Sequence, residues 1–329
     1  MPAHPAPVPR VDRRRYVDRV LLGLLILAIV AGPAAVGAAL LYVHSSAADR
    51  PARPAAAATP SPSPTPSEAP AVEVAPESPG PGGAVATKVA VAATPAAAVA
   101  AAVAVGTERG MRVGVAVRDR RTGATYVGGV PDATFFSASL VKVFIAARLL
   151  AEDKANDPEV RDRMHLMIVA SDDDAASDLY PVAGGDGLVD WISQRYHVSG
   201  LTVTSDPGAW GLTGVTARAM VAFYSAVATD AKVGPWLLDA MGDAAKRGSD
   251  GFDQNYGLMP VARDSAVKQG WLCCVDGAMT MHSTGFVDQN RFAIALLTEG
   301  SPDAYDAYAR ETLTLMARAL LPGGTLPGV

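Results

Sequence analysis

Phe135-Phe136-Ser137-Ala138-Ser139-Leu140-Val141-Lys142-Val143-Phe144-Ile145-Ala146-Ala147 is an apolar run holding a Ser139-x-x-Lys142 pair and no helix breaker. A helix starting near Ser139 puts Ser139 and Lys142 one turn apart on one face. Apolar residues cover the remaining faces, the pattern of a helix buried through a domain centre. A lysine in that setting loses hydration, which depresses its pKa toward that of a usable base. The serine stands at the positive end of the helix, where developing negative charge is favoured. Together these make an activated nucleophile possible. The spacing alone does not decide the matter, because Ser265-Ala266-Val267-Lys268 repeats it. That second pair reads as the approach to a strand, where residues three apart face opposite ways. The bland alternative at Ser139 is an N-cap serine with a snorkelling lysine.

The chain of 329 residues is 50% hydrophobic, carries a net charge of -5 and has two cysteines. Its first 19 residues hold five arginines against two aspartates, a local charge of +3. Val20 to Val43 contains no charged residue and is long enough to cross ~30 Å of hydrocarbon as a helix. With the arginines before it, residues 1–19 are expected to stay in the cytoplasm as a basic tail, residues 20–43 to be a single-pass signal anchor, and the remainder to lie outside the cell. A cleaved signal peptide is the alternative, with small residues at Ser45 to Ala48 as a possible cut site. There is no cysteine near the end of the span, so lipid attachment there is excluded.

Residues 44–105 are dominated by Ala, Pro, Ser, Thr and Gly, most plainly in Thr59-Pro60-Ser61-Pro62-Ser63-Pro64-Thr65-Pro66. Such a segment lacks the large apolar side chains that offset chain entropy and is expected to be a disordered spacer. Its Ala/Val-rich end, Val89 to Val105, could begin a first helix. Residues 106–329 are globular in composition and long enough for one domain. With +3 on the tail and -1 on the spacer, this domain carries -7, which argues against a nucleic-acid partner. Adjacent Cys273 and Cys274 could form a strained bridge, since neighbouring Cα atoms lie ~3.8 Å apart. Two free thiols on opposite faces of a strand is the other reading.

Met111 to Arg118 and Ala124 to Gly128 form a strand pair around the turn Asp119 to Gly123. Arg161 to Ala170 reads as a helix. In Ser171-Asp172-Asp173-Asp174 the serine is expected to cap the next helix, with the acids at its positive end. The spacing of a calcium loop is absent there. Leu188 to Tyr196, Thr213 to Ala228 (capped by Thr213 or Thr216) and Pro235 to Ala245 read as helices. Ser265 to Cys274, Ala278 to Val287 and Phe292 to Leu297 read as strands, and Ala304 to Leu321 as a closing helix. Strands at both ends with helices between them give an α+β domain: an antiparallel sheet packed with helices, plus an all-helical subdomain.

The order of motifs resembles the penicillin-recognising serine enzymes, in particular class A β-lactamases and D,D-peptidases, which use S-x-x-K, S-D-N and K-T-G. Their counterparts here are Ser139-Leu140-Val141-Lys142, Ser171-Asp172-Asp173 and Lys268-Gln269-Gly270, within a likeness covering Met111 to Leu321. The resemblance implies a β-lactamase-like fold, Ser139 as acylated nucleophile, Lys142 as its base and Ser171 as proton relay to the leaving group. It implies that Lys268 helps bind a substrate carboxylate, and that the N–H groups of Ser139 and Trp271 form an oxyanion hole. It implies neither cofactor nor metal, and a cell-wall peptide or another acyl compound as substrate. Asp173 replaces an amide donor with a carboxylate that holds Lys142 in its ammonium form. Gln269 replaces a threonine that would assist carboxylate binding, and Trp271 adds bulk beside Gly270 on the cleft strand. No glutamate occurs between Glu159 and Glu299 to activate a deacylating water, and Asp206 is the only acid in the corresponding loop. Efficient β-lactam hydrolysis is therefore not expected. A non-catalytic domain that binds a wall or protein ligand through the same cleft is the alternative.

Overall fold

Alternating apolar residues build the sheet. In β1 (Arg112–Asp119), Val113, Val115 and Val117 face one core while Ala116 faces another, the period of two expected of a strand covered on both sides. The structure, a computed structural model, describes residues 93–303 and 306–329. The basic tail, the 20–43 span and the spacer as far as residue 92 lie outside the described residues. Among the described residues no helix is long and apolar enough to cross a membrane.

β1 pairs with β2 (Thr125–Gly129) and with β7 (Phe292–Gly300). β7 pairs with β6 (Ala278–Val287), and β6 with β5 (Ser265–Val275). The result is one antiparallel sheet in the order β2-β1-β7-β6-β5, with β5 at an edge. One face is covered by α1 (Pro95–Glu108) and the last helix, Asp306–Leu320, through Ala98, Val99, Ala102, Leu313 and Met316.

The first helix that the Ala/Val-rich end of the spacer could begin is present as α1, so the folded part starts before residue 106 and the expected spacer boundary at 105 moves N-terminally. Composition misplaces it because α1 is as rich in Ala and Val as the spacer; what orders it is a partner surface. Thr94 caps this helix through Ala97 N at 3.2 Å. Gly106 lets it approach β1 closely, since a Cβ there would lie 2.5 Å from Val113 Cγ2.

The other face carries the helical layer. A two-residue strand β3 (Phe135–Phe136) pairs with β4 (Gly214–Val215). It leads through a 3₁₀ turn, Ala138–Leu140, into α2 (Val141–Ala151). The apolar run around Ser139 and Lys142 is thus buried as expected, with Val143 to Ala147 and Leu149 fully inaccessible. Around it lie α3 (Pro158–Val169), α4 (Asp173–Val182), α5 (Leu188–Tyr196), α6 (Ala217–Val227) and α7 (Gly234–Gly242). Phe144 of α2 meets Phe223 of α6 edge to face at 4.7 Å, a favoured aromatic arrangement. Thr216 caps α6 through Ala219 N, which settles that cap between its two candidates.

Candidate active site

Ser139 lies in the 3₁₀ turn and Lys142 in the first turn of α2, so the two come from one continuous element. Ala138, just before the serine, takes a left-handed φ of 46°, a strained state for a residue with a Cβ. This turn packs against β5 at Gly270. A Cβ there would meet Ser137 O at 3.0 Å and Leu140 Cγ at 3.2 Å, so any side chain would push the turn away from the strand. Ser139 is 4% exposed.

Ser171 departs from the expected cap. Its φ is 52°, and Asp172 is the N-cap of α4, accepting from Ala175 N at 2.7 Å. Both residue types cap well, and the left-handed turn at Ser171 decides between them. It swings the Ser171 carbonyl and hydroxyl toward two lysines. Lys142 Nζ donates to Ser171 O at 2.7 Å and lies 3.3 Å from Ser171 Oγ. Lys268 Nζ, from β5, lies 2.7 Å from Ser171 Oγ and 3.2 Å from Gln269 O. A hydroxyl has two acceptor lone pairs, so Ser171 Oγ can accept from both lysines, one on each.

Asp173 reaches Lys142 as expected, with Oδ1 2.5 Å from Nζ. The lysine side chain is fully buried and the aspartate is 67% exposed, so the pair spans the boundary between the protein interior and solvent. Burial pushes the Lys142 pKa down, opposed by Asp173 and, at longer range, by Asp172 and Asp250. Lys268 is driven well below its ordinary value by burial and then by the Lys142 charge, with Asp173 and Asp250 opposing. The direct carboxylate contact is the difference between the two lysines. Trp210 adds a face over Lys142, its ring centroid 5.1 Å from Nζ.

Gln269 is a correction. Its side chain is buried, and its Nε2 donates to Gln254 O at 3.1 Å and Tyr256 O at 2.6 Å. It ties the 254–256 loop to β5 instead of lining the cleft, because its neighbours Lys268 and Gly270 occupy the site-facing positions of the strand. Trp271 stacks on Phe252 at 4.4 Å with planes 9° apart, so its bulk is held against the same loop. Asp206, exposed, has its main chain tied to Thr204 and no bond to the lysine cluster.

Three positioning residues, and one acid that acts only through its charge, escape a sequence reading. Tyr256 OH lies 3.2 Å from Gly270 O and 3.1 Å from His282 O. Tyr224 OH bonds Thr284 Oγ1, which donates to Lys268 O. His282 Nε2 lies 2.8 Å from Phe136 O, and its Nδ1 accepts from Thr298 N at 3.2 Å. Nδ1 is therefore the acceptor, and the Nε2 proton points at Phe136. Asp250 lies on the loop beside Ser171, where Ser249 N donates to Ala170 O. None of these sits in a recognisable motif, and the sequence around Asp250, Tyr256 and His282 is itself polar, so no local signal marks them.

No protein-family model matches the chain. The chain is 33% identical over 229 residues, 66% of its length and 72% of the relative's, to the "Putative lipoprotein LppW" of Mycobacterium tuberculosis (strain ATCC 25618 / H37Rv). Among solved structures it is similar to a class A β-lactamase from Bacteroides cellulosilyticus DSM 14838, with TM-score 0.57 and 15% identity, covering 70% of this chain and 98% of that one. It is also similar to the class A β-lactamase from Mycobacterium abscessus, with TM-score 0.54 and 17% identity, covering 68% and 98%. These likenesses show the fold, that of the penicillin-recognising serine enzymes.

Proposed function

This chain belongs to the family of the Mycobacterium tuberculosis protein LppW, and we propose that it is a membrane-anchored, extracytoplasmic serine hydrolase or acyltransferase working through a Ser139 acyl-enzyme. The observation that carries this reading is the Ser171 hydroxyl set between two buried lysines beside Ser139. Ser139 Oγ attacks an acyl carbonyl, and its proton passes to the lysine pair. The Lys142 amine, desolvated, is the first acceptor, and Ser171 returns a proton to the leaving group. The N–H groups of Ser139 and Trp271 receive the oxyanion. The substrate is a cell-wall peptide or another acyl compound. The relative's name describes a lipoprotein; this chain has cysteines only at 273 and 274, so its membrane attachment falls to the 20–43 span.

One observation favours a second reading, a non-catalytic domain binding a ligand through the same cleft. Lys142 Nζ is engaged by Ser171 O, Ser171 Oγ and Asp173 Oδ1, and no hydrogen bond joins it to the Ser139 hydroxyl among the described residues. Intact-protein mass after incubation with β-lactams and a fluorophosphonate separates the two. A covalent adduct that disappears in Ser139→Ala supports the enzyme; unmodified mass with every probe supports the binding domain.

A further inference from the structure

Cys273 and Cys274 are not used by the site just described, and the structure bonds them to each other. Of the two sequence alternatives, the bridge is the one present. Both residues are exposed, near the end of edge strand β5. Neighbouring strand residues project to opposite faces, whereas a bond between neighbours draws both sulfurs to one side. The ladder shows the break. β5 and β6 pair residue for residue from Ser265↔Val287 to Cys273↔Met279, then slip to Val275↔Ala278.

Val275 and Asp276, immediately beyond the bridge, form one wall of a cavity of about 370 Å³. Phe136 and Leu212 belong to another wall. Phe136 leads into the Ser139 turn, and Leu212 follows Gly211, where a Cβ would lie 3.9 Å from Ala138 Cα. The bridge thus holds a hairpin end that lines a cavity shared with Phe136, three residues before the candidate nucleophile in the chain.

We propose that Cys273–Cys274 is a thiol–disulfide exchange site whose co-reactant is a dithiol, and that its reduction re-pairs the end of the β5–β6 hairpin. In the exchange a thiolate of the dithiol attacks one sulfur, and the other cysteine leaves as a thiolate and takes up a proton. The second thiol of the reductant then attacks the mixed disulfide, frees the first cysteine and departs as a disulfide. Two electrons and two protons pass to the protein. Exposure at a strand edge gives the attacking thiolate access. Once reduced, the two side chains can resume alternation, and Cys274 can enter the ladder, which skips it between Cys273↔Met279 and Val275↔Ala278.

The test uses the full chain in detergent, without denaturant, across a dithiothreitol series. Maleimide labelling read by mass should give no adduct before reduction and two afterwards. Amide exchange over residues 272–280 should shift about tenfold on reduction while Val141–Ala151 stays unchanged. Cys273→Ser/Cys274→Ser should show the reduced pattern without reductant and no response to it. Two adducts before reduction, labelling only after denaturation, or identical exchange in the oxidised and reduced natural protein would each overturn the proposal. The natural protein alone supplies all three readouts, whether or not the double variant folds.

Discussion

Lys142 is held between two opposing influences: loss of water around its side chain, which lowers its pKa, and the Asp173 carboxylate at 2.5 Å, which stabilises the ammonium. As an ammonium it has three donors, and Ser171 O, Ser171 Oγ and Asp173 Oδ1 take up all three. Accepting a proton from Ser139 requires one of those contacts to give way. An amide at 173 still offers an oxygen but carries no charge, and its NH₂ adds a donor facing the cleft. Asp173→Asn is therefore expected to raise the second-order rate of Ser139 acylation by a penicillin. The change should be on the order of 1–3 kcal/mol, about tenfold to a hundredfold. Stopped-flow or quenched mass measurements on both proteins check it. Equal rates with Ser139 labelled in each would mean that Asp173 does not hold the place of the family's amide.

At the level of elements, the Ser139 turn is positioned from β6 as well as from its own helix. His282 of β6 is fully inaccessible and bonds Phe136 O of β3, three residues before the nucleophile. Burial pushes its pKa down to about 4 from 6.5, partly offset by its backbone contacts. The folded state therefore binds this proton less readily than the unfolded chain does. The resulting stability is complete above about pH 6.5 and is lost as pH falls through about 4. A shift of that size corresponds to at most about 3 kcal/mol. Urea unfolding at pH 7 and pH 4.5 should show the natural protein losing more stability than His282→Gln, in which an amide can donate to Phe136 O and accept from Thr298 N without titrating. Parallel losses in the two proteins would show that other groups control acid unfolding. The effect is invisible in the sequence, where His282 is one polar residue within a strand.

Across the whole molecule, the three motifs and their order were legible because they lie within single elements, where local spacing fixes which residues share a face. Lys142 follows Ser139 by one turn, and Lys268 and Gly270 sit two apart on β5. What escaped depends on contacts between distant segments. The sequence places Gln269 in the cleft because the pull of the 254–256 loop on its amide has no local signature. Ser171 and Asp172 are equally good caps until the backbone turns left-handed at the serine. α1 merges into the spacer by composition, and its burial against β1 and the last helix is what separates them. The same logic of local signals supports an expectation for the 20–43 stretch. Five arginines precede it, 24 residues without charge compose it, and a domain of net charge -7 follows. Basic residues beside a span are retained in the cytoplasm far more strongly than acidic ones are, so the acidic domain offers little resistance to export. A disulfide between Cys273 and Cys274 also suits an oxidising compartment. Protease added to intact spheroplasts should therefore digest the Ser139 domain and leave an N-terminal epitope tag protected. Digestion of the tag with a protected domain would reverse the orientation. Release of an untagged, intact domain into the medium would instead identify the span as a cleaved signal peptide.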